Sequence, residues 1–335
     1  MNQRPLGPFT VSSIGLGCMN ICHAYGPPVP EQQAERLLLT ALDEGVTHFD
    51  TAALYGFGAS ETIVGKVLSK HRNRFTLASK CGMQGVDVKG DGQLVRVIDG
   101  RPDTLRATCE DSLRRLRTDV IDLYYLHRWD KQVPVEESVG ALGDLVRAGK
   151  IRAVGLSEVS AQTIRKAHAE HPISAVQTEY SLWTRNPEIA VLDACREIGA
   201  AFVAFSPTAR GFLAIDLDPD TFDAKDIRRA MPRFTPAHWA ANQRLLPAYR
   251  AVAAEVGCTP AQLSIAWLLH KAPHILPLPG TGNVDHLREN NGADGVKLSA
   301  DVMQRLDALI NQQTVSGSRY SEQSNREVDT EVFAA

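Results

Sequence analysis

Four side chains able to give or take a proton gather where short apolar runs end. Asp50 closes one run, Lys80 and His127 follow two others, and Tyr55 sits in the loop just after Asp50. A carboxylate, a phenol, an amine and an imidazole are the groups of general acid–base chemistry. Singly, each has an ordinary structural role: Asp50 as a helix cap or turn residue, Tyr55 as a packed aromatic beside Gly56, Lys80 as a solvated cation, His127 as a core histidine. Together they matter more, because in a parallel barrel the strand ends converge on one face.

The elements that must position them alternate along the chain. Strands are predicted at Ser13–Cys18, Thr47–Asp50, Phe75–Ser79, Val120–Leu126, Ala153–Leu156, Ala175–Glu179, Ala201–Phe205 and Ile275–Leu278. Helical patterns lie between them, at Gln32–Glu44, Ser60–Ser69, Pro102–Arg117, Val135–Ala148, Ser160–Ala169, Pro187–Ile198 and Pro260–His270. Ser160 and Pro102 are N-terminal signals, and Gly45, Gly149 and Gly199 suit helix exits. Eight strands alternating with helices require parallel pairing through crossovers. An open doubly wound sheet uses the same units, but the count of eight and the lack of an early GxGxxG favour a single (β/α)8 TIM barrel in the α/β class.

Two long interruptions, Cys81–Arg101 after the third strand and Ser206–Ala240 after the seventh, follow strand C-terminal ends and are candidate substrate loops. An extra helix is predicted at Asn242–Val256. Residues 1–313 read as the barrel and 314–335 as a polar C-terminal tail, either mobile or a flap.

Composition narrows the function classes. The chain has 335 residues, 44% of them hydrophobic, enough for one large core even though length alone suggests two domains. With 36 basic against 39 acidic residues and no basic stripe, nucleic acid is not an expected partner. No signal peptide and no apolar run of about 18 residues is evident, so no membrane span and a cytoplasmic location are expected. Cys18, Cys22, Cys81, Cys109, Cys195 and Cys258 are scattered, which suggests reduced thiols. Cys18, Cys22 and His23 lack the second ligand pair of a metal site, so no metal is expected.

Longer stretches carry a family likeness. The runs Asp50-Thr51-Ala52-Ala53-Leu54-Tyr55-Gly56, Ala78-Ser79-Lys80 and Leu123-Tyr124-Tyr125-Leu126-His127 resemble the aldo-keto reductases. So do Gly155-Leu156-Ser157-Glu158, Ala175–Tyr180, Phe205-Ser206-Pro207, Pro279-Gly280-Thr281 and Glu289-Asn290, so the likeness spans roughly residues 8 to 312. Within the family it is closest in character to the general bacterial and plant type, relatives of the potassium-channel β-subunits.

The resemblance implies NAD(P)-dependent reduction of an aldehyde or ketone, with Asp50, Tyr55, Lys80 and His127 as a tetrad. Reduction puts a hydride on carbon and a proton on oxygen. A free phenol, with a pKa near 10, is a weak acid at neutral pH, and a neighbouring ammonium lowers that value. Tyr55 is then the expected general acid, Lys80 its tuner, Asp50 the anchor of Lys80, and His127 the group that orients the substrate oxygen.

The resemblance also places an extended NADP(H), with NAD(H) the alternative. Ser157, Gln177, Asp50 and Glu158 correspond to the nicotinamide end, Glu158 standing where Asn is common. Phe205 takes the place of a stacking aromatic, usually Tyr. Gly17, Cys18 and Met19 match the first-strand loop beside it. Ser206, Pro207, Thr208, Arg210 and Gly211 resemble a pyrophosphate loop, in which Arg210 would pair with phosphate. At the adenosine end stand Gly280, Thr281, Gly282, Asn283, Glu289 and Asn290, with His286 and Arg288 near the position of a 2′-phosphate-binding arginine. Few fixed positive charges there weaken the expected preference for NADP.

Tyr25, Phe57, Trp129 and Trp183 are candidate walls of a small-molecule carbonyl pocket. A monomer or small homo-oligomer is expected. Two other readings stay open: a redox-sensing regulatory subunit that holds cofactor, and a lyase or aldolase using a Lys80 Schiff base.

Overall fold

The computed structural model describes residues 1–334. Twelve strands occur among them: β1 (Gln3–Leu6), β2 (Phe9–Ser12), β3 (Leu16–Gly17), β4 (His48–Asp50), β5 (Thr76–Cys81), β6 (Met83–Val86), β7 (Val95–Ile98), β8 (Ile121–Leu126), β9 (Ile151–Ser157), β10 (Ile173–Glu179), β11 (Ala201–Phe205) and β12 (Ile275–Leu278). Eight of them pair in parallel in the order β3-β4-β5-β8-β9-β10-β11-β12. A parallel bridge between Gly17 and Gly280, with Gly15 N–H to Pro277 O at 3.1 Å and Gly17 N–H to Pro279 O at 3.0 Å, joins the last strand to the first. The (β/α)8 barrel expected from the alternation is the observed fold.

Strand alternation sorts the side chains into two cores. Ala78, Leu123, Tyr125, Ala153, Ala175, Ala201, Val203, Leu276 and Leu278 fill the barrel interior. Leu6 and Val11 of the antiparallel β1–β2 hairpin plug its floor. Neighbouring positions such as Phe49, Leu77, Tyr124, Leu126, Val154, Leu156, Val176 and Phe202 face outward into the helix layer. Helix Val135–Arg147 answers them with Val135, Val139, Leu142 and Leu145 on one buried face. Fully burying each such side chain is worth about 1.5–3 kcal/mol. Gly155 has a packing reason: a Cβ there would come within 2.4 Å of the Tyr125 ring inside the barrel.

Several boundaries differ from expectation. The first barrel strand is only Leu16–Gly17, shorter than the expected Ser13–Cys18, and is preceded by a β1–β2 hairpin that the sequence reading did not place. The third runs on to Cys81, so Lys80 lies inside it rather than after it. The helix expected from Pro187 begins at Val191, after a 3-10 turn at Asn186–Glu188. The extra helix starts at Leu246, behind a separate helix Pro236–Gln243. The interruption after the third barrel strand carries a β6–β7 hairpin.

The tail packs against the barrel. It contains a short helix, Glu322–Arg326. Asp329 accepts from Ser160 N–H at 3.1 Å and Thr163 Oγ1 at 2.7 Å, and Glu331 accepts from Ala161 N–H at 2.8 Å. Two acidic side chains therefore cap the N-terminus of helix Ala161–Glu170, where the helix dipole favours negative charge. Among the described residues no single helix is long and apolar enough to cross a membrane.

Candidate active site

The interior parity of the barrel runs upward into the polar residues. His48 and Asp50 share a strand face, as do Ala78 and Lys80, Gly155 and Ser157, Ala175 and Gln177, and Val203 and Phe205. Each polar or aromatic residue is thus the next inward position after a barrel-filling one, at the carboxyl end of its strand. His127 follows Tyr125 by the same step, one residue beyond β8.

Lys80 is the hub of this layer. It is 0% exposed, and its Nζ donates to Asp50 Oδ1, to Thr51 O at 2.8 Å and to Tyr55 Oη at 3.2 Å. Three ammonium hydrogens meet three oxygens. Asp50 Oδ2 in turn accepts from Gln177 Nε2 at 2.8 Å. Burial opposes the charge on Lys80, but Asp50 and Tyr55 more than offset it and its pKa lies above the ordinary value. A nucleophilic neutral amine, needed for a Schiff base, is therefore disfavoured at this position.

The Tyr55 ring meets the His127 ring edge-on, centroids 5.7 Å apart, and the His23 ring at 5.9 Å. Burial raises the Tyr55 pKa, Lys80 pulls it down and Asp50 pushes it up, with a net rise. The expected lowering by Lys80 operates, but desolvation outweighs it, and Tyr55 keeps its proton at neutral pH. Burial, reinforced by the Arg128, Lys80 and Arg96 cations, holds His127 well below its ordinary value. His127 is a neutral imidazole whose Nδ1 has no hydrogen-bond partner among the described residues.

Above this layer opens a cavity of about 780 Å³. Asp50, Tyr55, His127, Gly17, Met19, Ser157, Gln177, Phe205, Ser206, Pro207, Thr208, Arg210, Gly211, Gly280, Thr281, Gly282, Asn283, His286, Glu289, Asn290 and Tyr25 all line it. Its loop after β11 has an unusual backbone: Ser206 (φ +51°), Ala209 (+54°), Arg210 (+56°) and Gly211 (+93°) are all left-handed. Non-glycine residues adopt that conformation at a cost of about 1–2 kcal/mol each, and such strain concentrates at ligand clamps. Turns of this kind aim successive N–H groups at an anion.

Other expected residues lie elsewhere. Lys80 is behind Tyr55, out of the cavity wall. Cys18 is buried with its Sγ against Leu16 O at 3.8 Å. Glu158 is buried and engaged with Arg319 of the tail, so it faces that segment and not the cavity. Arg288 points outward to Glu44 at 2.8 Å. Phe57 is exposed over Gly85 of the hairpin, where no Cβ interferes with its ring. Trp129 donates to Val133 O at 2.7 Å, and Trp183 stacks on Phe212 at 4.2 Å, which makes both packing residues. Arg210 lines the cavity but is already paired with Glu179 and donates to Tyr320 Oη at 3.3 Å.

The sequence reading did not individually assign to the cavity Asn20, His23, Met83, Arg96, Arg128, Arg228 or the tail residues Tyr320, Ser321, Ser324, Glu327 and Val328, all in the lining, although Met83, Arg96 and Arg228 fall within the two candidate substrate loops. Arg96 of β7 pairs with Glu327 of the tail, and Lys131 donates to Val328 O at 2.6 Å and Arg326 O at 3.0 Å. The hairpin, the tail and the loop after β8 are thereby stitched together at the cavity mouth. Arg128, next to His127 at a strand end, carried a positional signal of its own, and Met83, Arg96 and Arg228 carried that of the loops they lie in.

A barrel with its titratable groups at one end defines an α/β enzyme scaffold, and comparison with known proteins makes the class specific. The model of the aldo/keto reductase family matches residues 13–311. A probable aldo-keto reductase of Glycine max is 40% identical over 313 residues, covering 93% of this chain and 89% of that protein. The solved glycerol dehydrogenase of Gluconobacter oxydans superposes with a TM-score of 0.83 at 28% identity, covering 91% of this chain and 93% of the other. The holo form of a Bacillus halodurans aldo-keto reductase gives 0.77 at 26% identity, covering 96% and 99%. The chain belongs to the aldo/keto reductase family and is an oxidoreductase of the kind that uses NAD(P)(H) on small-molecule carbonyl compounds.

Proposed function

We propose that this chain reduces aldehydes or ketones to alcohols with NADPH, Tyr55 giving the proton. The observation that carries this reading is the contact of Lys80 with Tyr55, 3.2 Å, at the floor of the cavity. The nicotinamide, when bound, supplies the hydride. Tyr55 keeps its proton in the resting state and releases it to the substrate oxygen as charge develops there. Lys80 limits the cost of the phenolate left behind, and Asp50 keeps Lys80 charged and aimed. His127, neutral, has a hydrogen to give the same oxygen and holds it facing Tyr55.

The residues fit a dinucleotide. Ser157, Gln177 and Asp50 gather polar groups beside Phe205, an apolar face on which a nicotinamide ring can stack. The left-handed loop 206–211 suits a pyrophosphate. Gly280 and Gly282 leave room at the far end, where a Cβ would come within 2.6 Å of Asn20 Oδ1 and 2.7 Å of Val29 Cγ1, respectively. Among the described residues no arginine lines that end, and Arg288 is held only by a solvent-exposed pair with Glu44, a weak kind of contact, so its recruitment by a 2′-phosphate is cheap. NADPH is the proposed cofactor, with NADH accepted.

Steady-state consumption of NADPH with a panel of aldehydes tests this. Many turnovers per site support the reductase, whereas a single slow oxidation per bound cofactor indicates a sensor.

A further inference from the structure

Four arginines line the cavity, and three have carboxylate partners. Arg96 pairs with Glu327, Arg210 with Glu179 and Arg228 with Asp226. Arg128 has no salt bridge among the described residues. Its contacts come from Nη1 alone, to His127 O at 2.7 Å and Ser157 Oγ at 3.2 Å. Nε and Nη2, the edge of a guanidinium that grips a carboxylate with two parallel hydrogen bonds, have no protein partner. A half-buried cation without a counter-charge is costly for a protein to keep, and here it stands next in chain to His127.

We propose that Arg128 is the anion-recognising group of the substrate pocket, and that the preferred substrates are oxo acids, aldehydes or ketones carrying a carboxylate a few bonds from the carbonyl. The inference rests on the reductase reading and names its substrate class. Tyr55 and His127 fix where the carbonyl oxygen goes, and Arg128 is close enough to both to act on their charges. The left-handed loop 206–211 follows β11, three strands along the sheet from β8, so Arg128 stands apart from the groups proposed to hold the pyrophosphate. Ser157 accepts from Arg128 and keeps its own hydroxyl hydrogen to donate, so the two roles coexist. Leu54, Met83 and Met231 add apolar surface to the lining, which suits a short carbon chain between the two polar ends.

The test compares oxo acids of two to five carbons, each against its methyl ester, in wild type, Arg128→Leu and Arg128→Lys. In wild type at least one acid should exceed its ester in kcat/KM by tenfold or more. Arg128→Leu should cut that ratio by roughly 10- to 100-fold, the range for losing a charge-assisted hydrogen bond, and act mainly through KM. Arg128→Lys should restore part of it, since a point charge replaces a fork. Calorimetric binding of malonate, which is not reduced, should weaken in parallel in Arg128→Leu. Esters reduced as well as acids across the wild-type panel, or equal loss on both in Arg128→Leu, would overturn the assignment while leaving the reductase intact. Failure to reduce any carbonyl compound would remove the reductase reading and this inference with it.

Discussion

Replacing Lys80 by Met isolates the electrostatic core of the mechanism. The ammonium lies 3.2 Å from the Tyr55 oxygen. At an effective dielectric constant near 20, that separation is worth about 5 kcal/mol in favour of phenolate. The Asp50 carboxylate on the same ammonium cancels part of it, leaving a net of about 2–3 kcal/mol for a transition state with most of the phenolate charge. The expected loss is roughly 30- to 150-fold in turnover at neutral pH. Removing Lys80 alone also strands a buried carboxylate, at a cost of about 3–5 kcal/mol in stability, so the variant should be paired with Asp50→Asn. The assay is carbonyl reduction together with reverse alcohol oxidation across pH. Oxidation needs the phenolate, so its profile should move to higher pH in the double variant. A folded double variant with the wild-type rate and profile would refute the argument.

Two further outcomes follow from buried charge. Burial depresses His48 to about 4, and neither ring nitrogen has a partner among the described residues. The folded state binds fewer protons than the unfolded one, so the associated stability is complete above about pH 6.5 and declines as pH falls towards 4, by about 3 kcal/mol in all. Thermal melts at pH 7 and pH 5 should show a smaller acid loss in His48→Leu than in wild type; equal losses would contradict this. Arg319→Ala strands Glu158 in the core, a penalty of about 3 kcal/mol that the tail can escape only by detaching. Tryptic cleavage at Arg326 should accelerate severalfold, and an unchanged rate would show that the tail is held by other contacts.

Much of the fold was legible because its signals are local. Helix exits at Gly149 (φ +72°) and Gly199 (φ +71°) and the Ser160 cap are set by backbone sterics within a few residues. The tetrad positions followed from strand ends, and the structure brings Asp50, Tyr55, Lys80 and His127 together as the barrel geometry requires. What the sequence hid was non-local. Glu158 was assigned to the cavity because nothing nearby in sequence shows that Arg319, 161 residues on, takes its carboxylate. The same holds for Arg288 with Glu44, and for the closure of the mouth by Arg96 and Glu327, 231 residues apart. Trp129 and Trp183 lie near strand ends, but whether an indole lines a pocket or packs depends on neighbours such as Phe212. The expected pull of Lys80 on Tyr55 operates, but the sequence announces the ammonium and not the desolvation that outweighs it.

The central claim is that the proton delivered to the substrate oxygen comes from Tyr55. Its most direct test is Tyr55→Phe, assayed for NADPH binding by fluorescence titration and for carbonyl reduction under saturating cofactor. Cofactor affinity within about threefold of wild type, with turnover reduced by roughly 100-fold or more, is the predicted result for loss of a general acid. Near-normal turnover by the same variant would contradict the account.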